Sequence, residues 1–229
     1  MSAGIEQTTD LVFRSRKFIL DMLEQRGCDV EDLRNYTFDN ITPMFNSYSS
    51  TKELPTPGSL DILTKDKHGR NIFVKYSLER FRQTNKLDKL VDDIFTTTLS
   101  KGDNLIFVNL GRILMQKTSK TTTASKQNTV ESYCNTLFTR KGYYVQVFGL
   151  ENFLFNPTDN IYVPKHRILT REETLKILKQ YGIPGQHLPR IRREDPIAKW
   201  MGMRPFEVCE IKRLNNSSIE SIIYRRCVF

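Results

Sequence analysis

Apolar residues recur at helical spacing near the start of the chain. Leu11-Val12, Phe18-Ile19 and Met22-Leu23 share one face, and Gly27 follows as a C′ residue, so the pattern predicts a helix over 9–26. A shorter helix follows Asp29, and the polar stretch from Asn46 to Ser59 reads as a loop. The pattern then becomes β-rich: Ser59-Leu-Asp-Ile-Leu and Asn71-Ile-Phe-Val-Lys-Tyr flank the turn Lys67-His-Gly-Arg, the signal of a hairpin. The charged stretch from Leu78 to Leu99 is read as helical. Asn104-Leu-Ile-Phe-Val-Asn-Leu, apolar almost throughout, reads as a buried strand. Residues 116–128 are almost entirely Lys, Thr, Ser, Gln and Asn, and with nothing to bury they are expected to form an exposed, mobile loop. A last strand, Gly142-Tyr-Tyr-Val-Gln-Val-Phe, closes an α/β domain placed at 1–152.

The remaining residues, 153–229, carry sharper local signals. Thr170-Arg-Glu-Glu173 is a capping box, in which the Thr hydroxyl takes a helix N–H and Glu173 reaches back to the cap. That helix runs through Leu175, Leu178 and Tyr181 and stops at Gly182, with Pro184 just beyond. Asp195 and Pro196 supply the N-cap and first position of a second short helix, which contains Trp200 and ends at Gly202. Two strand-like runs, Phe206-Glu-Val-Cys-Glu-Ile and Ser221 to Phe229, flank Asn215-Asn-Ser-Ser and are expected to pair as a hairpin. The predicted unit is a small α+β domain with both helices on its sheet.

Length and composition fit this picture. The chain has 229 residues, 38% hydrophobic and 27% charged, which is enough for two modest cores. No apolar run approaches a membrane span, and the first ten residues lack a signal peptide's apolar core, so a soluble intracellular protein is expected. Cys28, Cys134, Cys209 and Cys227 are widely spaced with no C-x-x-C pair, which argues against a zinc site or a disulfide framework and for reduced, buried thiols. The net charge of +9 favours polyanions, but residues 151–229 carry 14 Lys/Arg against 9 Asp/Glu and the rest is similarly spread, so charge alone locates no face.

The order of motifs in the last seventy or so residues resembles a known family. Tyr162-Val-Pro-Lys-His166, Leu169-Thr-x-Glu-Glu173, Leu188-Pro-Arg-Ile191, Asp195-Pro196, Gly202 and Tyr224-Arg-Arg resemble the assembly domain of the fifth-largest subunit of eukaryotic-type DNA-directed RNA polymerase; the corresponding small archaeal polymerase subunit is similar to that domain standing alone. The N-terminal part is similar only in outline. The resemblance implies an α/β jaw-like N-terminal domain followed by a small α+β assembly domain. It implies a non-catalytic transcription subunit that docks on the largest subunit and places its jaw beside downstream double-stranded DNA. Cofactors are none, and no membrane or metal is expected. Two departures, Gly111-Arg-Ile-Leu-Met in place of a Thr-Pro turn and Asn215-Asn-Ser-Ser in place of a Ser-Glu-Thr segment, point to a divergent source such as a large DNA virus. Localisation is then the nucleus for a cellular protein, or the virion or cytoplasmic virus factory for a viral one.

The residues carry little catalytic chemistry. His166 sits among Pro164, Lys165 and Arg167, with no carboxylate or Cys/His partner nearby, so a hydrogen bond to backbone is its expected role. A restriction-type nuclease needs an Asp and then Glu-x-Lys on facing strands. Asp61 and Lys75 stand in two of those positions, but the Glu position is Phe73, and the pair is read as strand-end surface groups. Glu210-Ile-Lys212 repeats the pattern with no Asp-bearing strand close by and is read as a solvated strand face. No phosphate-binding loop, nucleophile elbow or aspartate triplet for nucleotidyl transfer appears. A free basic DNA-binding regulator and a degenerate nuclease are the alternative functions. The docking residues that the resemblance implies are Pro164, Lys165, His166, Pro189, Arg190 and Arg192, while Leu188 and Ile191 are expected to close the core. Lys117, Lys120 and Lys126 are the residues expected to face DNA phosphates.

Overall fold

The computed structural model describes residues 2–50, 58–77, 84–109, 130–213 and 221–229. It divides into two compact units, Met1–Phe155 and Asn156–Phe229. The division falls just past residue 152 because Phe153 is fully buried and its ring packs 5.0 Å from that of Phe148, which ties the intervening turn to the first unit.

In the first unit, α1 (Ser2–Gln25) precedes a 3-10 turn at Glu31–Asn35 and α2 (Phe38–Ser50). Then come β1 (Ile62–Lys65), β2 (Asn71–Ser77), α3 (Thr84–Thr97), β3 (Asn104–Asn109), α4 (Val130–Lys141) and β4 (Tyr144–Gly149). The sheet order is β1-β2-β3-β4, with β1 antiparallel to β2 and the other neighbours parallel. Each parallel pair is joined by a helical crossover, as parallel strands require. Strand side chains alternate. Phe73, Leu105, Phe107, Val145 and Val147 therefore share a face, on which Leu87, Val91, Ile94 and Phe95 of α3 and Val130, Cys134 and Leu137 of α4 are buried. On the other face, Arg26, just past α1, donates to the Gln146 side chain at 3.0 Å. Each fully buried Leu, Ile or Phe contributes about 1.5–3 kcal/mol, so this two-sided burial carries most of the unit's stability.

Three expectations need correction here. The stretch read as loop from Asn46 is helical as far as Ser50, and α2 contains Pro43; its Ile41 and Phe45 are buried, so packing overrides the proline signal. Helix α4 is absent from the expected elements, although Val130, Cys134 and Leu137 recur at i, i+4 and i+7. Lastly, Asp61 and Lys75 are not surface groups: they form an ion pair of 3.0 Å with side chains 0% and 2% exposed.

The second unit contains β5 (Lys165–Ile168), α5 (Arg171–Tyr181), β6 (Arg190–Arg192), α6 (Pro196–Trp200), β7 (Val208–Arg213) and β8 (Ser221–Val228). Its sheet order is β5-β7-β8-β6; β7 and β8 pair antiparallel, and β6 runs parallel to β8. The two edge strands come from the proline-containing segments that the sequence offered only as docking loops. One cluster joins Ile191, Cys209, Ile211 and Cys227 to Ala198 of α6. The other joins Val208, Leu169 and Leu188 to Ile177 and Leu178 of α5, so the helices cover opposite faces of the sheet.

Candidate partner-docking surface

The second unit is held rigid by caps. The Glu173 N–H donates to Thr170 Oγ1 at 3.2 Å and the Thr170 N–H donates to Glu173 Oε2 at 2.8 Å, closing the box at the start of α5. Thr170 N–H and then Arg167 hold the Glu173 carboxyl below its ordinary range. At the far end Gly182 takes the left-handed conformation, φ 62°, and its N–H caps α5. Asp195 accepts the N–H groups of Ile197 (3.0 Å) and Ala198 (3.3 Å), Pro196 fills the first helical position, and Gly202 turns the chain with φ 71°. Trp200 is buried at 2% exposure.

On this frame the docking candidates separate by burial. His166, half-buried on β5, has Nδ1 2.7 Å from the Pro164 carbonyl; a carbonyl only accepts, so the proton is assigned to Nδ1 and the ring braces the strand entry. Lys165 is exposed and has no ion pair among the described residues. Just before it, Ile161 and Tyr162 are each 91% exposed, so neither contributes to the unit's own core. On β6, Ile191 is buried while Arg190 and Arg192 are exposed on either side of it, as strand alternation dictates. Pro189 is exposed, and its carbonyl accepts the Arg226 N–H at 2.8 Å.

The reading of Glu210 as a solvated group is also corrected. It is 9% exposed and faces Arg167 Nη2 at 3.5 Å, and the same arginine donates to Glu173 at 2.8 Å. Glu210 is buried because β7 lies between β5 and β8 in the sheet. Lys117, Lys120 and Lys126 lie outside the described residues. Among the described residues, no three His, Cys, Asp or Glu side chains converge as metal ligands, and no helix is long and apolar enough to cross a membrane. All four cysteines are buried, and none is in a disulfide.

Sequence reasoning missed two exposed features. Phe206 and Phe229 are 57% and 43% exposed and meet edge to face at 5.8 Å. In the first unit a cavity of about 490 Å³ opens between α1, the 3-10 turn and α2, walled in part by Phe13, Lys17 and Tyr36. Neither has a sequence signal, since single aromatic residues do not announce exposure.

Comparison with known proteins adds a family to this geometry. The family model described as RNA polymerase Rpb5, C-terminal domain, matches residues 155–228. The chain is 44% identical to the DNA-directed RNA polymerase subunit Rpo5 of Sulfurisphaera tokodaii over 70 residues, 31% of this chain and 83% of that protein. It is 40% identical to the Archaeoglobus fulgidus subunit of the same name over 32% of this chain and 97% of that protein. With the subunit rpabc1 of DNA-directed RNA polymerases I, II and III from Dictyostelium discoideum it shares 37% identity over 37% of this chain and 43% of that protein.

Proposed function

The chain belongs to the Rpb5 family of RNA polymerase subunits, and from that premise we propose that it is a non-catalytic assembly subunit of a multisubunit DNA-directed RNA polymerase. One observation carries this reading. The Archaeoglobus relative is matched over 97% of its length, so what aligns with this chain is nearly that whole subunit. The stretch matched by the family model, residues 155–228, coincides with a unit whose helices are capped and whose core is closed. The side chains of its exposed Ile161, Tyr162, Lys165, Arg190 and Arg192 lie outside the unit's buried clusters and suit a partner surface.

The chemistry of nucleotidyl transfer needs carboxylates that hold two metal ions. This chain offers no aspartate triplet, and its buried Asp61 is committed to Lys75. The catalytic centre therefore belongs to other subunits, and this chain supplies contacts to the largest and neighbouring ones. The Met1–Phe155 unit is proposed to act as a jaw beside downstream double-stranded DNA, a reading supported by the family resemblance and by the cations Lys117, Lys120 and Lys126 in the sequence. Its place of action is the nucleus for a cellular polymerase, or the virion or virus factory for a virus-encoded one.

The test is affinity purification of the tagged full chain from its source, followed by mass spectrometry. Recovery with the two largest polymerase subunits is expected. Recovery without any polymerase subunit, together with tight and strongly salt-dependent DNA binding by the chain alone, would identify a free regulator instead.

A further inference from the structure

Phe206 has φ 75°, in the left-handed region that bulky side chains avoid, and no other non-glycine residue among those described does so. Its N–H is fixed to the Cys227 carbonyl at 2.9 Å, so the sheet holds the conformation in place. The ring gains little burial in return, since it is 57% exposed. One face of it carries the Arg226 guanidinium at 4.9 Å, and its edge meets Phe229 at an interplanar angle of 85°. Backbone strain of this kind clusters at ligand clamps and other functional sites.

Two more cations stand on the strand beside Arg226. Arg226 lies opposite Arg190 across the β8–β6 pair, and Arg192 follows one strand repeat further, opposite Val228. Ile191 and Cys227 point together into the α6 core, so Arg190, Arg192 and Arg226 share the reverse face, on which α5 packs against Val208 and Leu188. None of the three has an ion pair among the described residues. Because β6 is an edge strand, this row can be approached from outside the sheet.

Resting on the polymerase-subunit reading, we propose that the Phe206–Arg226 platform, with Phe229, Arg190 and Arg192, seats an extended acidic segment of a partner polypeptide. Arg190 and Arg192 are spaced by two residues of strand, about 6.6 Å, the interval at which alternate side chains of an extended peptide recur. Carboxylates at alternate positions of the segment meet those guanidiniums bidentately. An apolar side chain at a further alternate position, on the same side of the segment as the carboxylates, rests on the edge-to-face pair of rings. A nucleic-acid strand fits less well: the Phe206 face is already taken by Arg226, and crossed rings offer no stacked platform for successive bases.

The experiment titrates the labelled full chain against a polymerase preparation stripped of it. Phe206→Gly relieves the backbone, so its melting temperature should rise by a few degrees, while its affinity for the polymerase falls about tenfold or more. Phe206→Tyr should bind within about twofold of wild type, and Arg190→Glu combined with Arg226→Glu should lose about tenfold or more. If the glycine variant and the double charge reversal both bind like wild type, the platform is not the seat. If Phe206→Gly instead weakens binding to short single-stranded DNA and leaves the polymerase affinity unchanged, the occupant is nucleic acid and the proposal is overturned. Failure of the wild-type chain to bind polymerase would remove the subunit reading itself, and the proposal with it.

Discussion

Lys75 Nζ lies 3.0 Å from Asp61 Oδ2, and the other oxygen of the same carboxylate accepts the Tyr76 N–H at 3.0 Å. One carboxylate thus answers a buried cation and a buried backbone donor at the point where β1 begins. Phe73, two residues before Lys75, is fully buried in the apolar cluster of α3 and α4, so no second carboxylate faces the pair from the position a nuclease would use. Asp61→Ala should cost about 3–5 kcal/mol in urea unfolding, because it removes the carboxylate that answers a buried ammonium group. Asp61→Leu combined with Lys75→Met should cost far less. The wild-type protein should not cleave DNA with Mg²⁺; cleavage that disappears in Asp61→Ala would overturn the structural assignment of the pair.

Removal of the α5 cap is the second test. Thr170→Ala should cost about 1 kcal/mol, and Trp200→Ala, which empties a buried site, about 3–5 kcal/mol. Glu173 adds a pH signature. Its carboxyl is held low, first by the Thr170 N–H and then by Arg167. Its contribution is therefore present above the ordinary carboxyl range and is lost as pH falls through the depressed value. The stability gap between wild type and Glu173→Gln, measured by urea unfolding from neutral to acid pH, should close at the acid end. A gap independent of pH would show that the charge plays no part.

The thiols should be inert in the native protein. Burial pushes Cys28 and Cys209 up to about 11 and Cys227 up to about 12. Thiolate, the reactive form, is then scarce at pH 8, and each sulfur is also shielded. Ellman's reagent should label none of the four rapidly in buffer and all four in denaturant. Rapid native labelling of Cys227 would mean that the Asn156–Phe229 unit opens readily.

Replacing Lys117, Lys120 and Lys126 by Glu should weaken engagement of downstream DNA by the assembled enzyme. The salt dependence should flatten by up to about three phosphate-equivalents, equally on unrelated sequences, because phosphate contacts carry no base information. Unchanged elongation-complex stability and salt slope in the triple variant would refute a DNA role for these lysines.

How much of the structure is legible in the sequence depends on the range of the interaction. Capping is local chemistry: Thr170 with Glu173, and Asp195 with Pro196, are complete within four residues, and each has the geometry that its sequence implies. Gly182 and Gly202 likewise take the left-handed turns that end their helices. What fails is tertiary. Nothing near Asp61 says that its partner lies fourteen residues on in a buried register, and Glu210 is interior only because strands from both ends of the unit flank β7. The short strands β5 and β6 are hidden because prolines at 164 and 189 read as loop formers, although each stands just before its strand, where no ladder N–H is needed. Phe206 is invisible for a further reason: a positive φ on an aromatic residue contradicts its intrinsic preference, and tertiary hydrogen bonds to Cys227 hold it there.

The placement of β8 sets an order on biosynthesis. This strand, made after the other described strands of its sheet, lies in the interior of that sheet and is the neighbour of both β7 and β6. Until residues 221–228 leave the ribosome, β6 has no strand to pair with, and Cys209 and Ile211 lack Cys227, which shares their apolar cluster. The unit therefore closes in one late step, and a nascent chain stalled before Ser221 exposes an unfinished sheet to chaperones and not a surface ready for assembly.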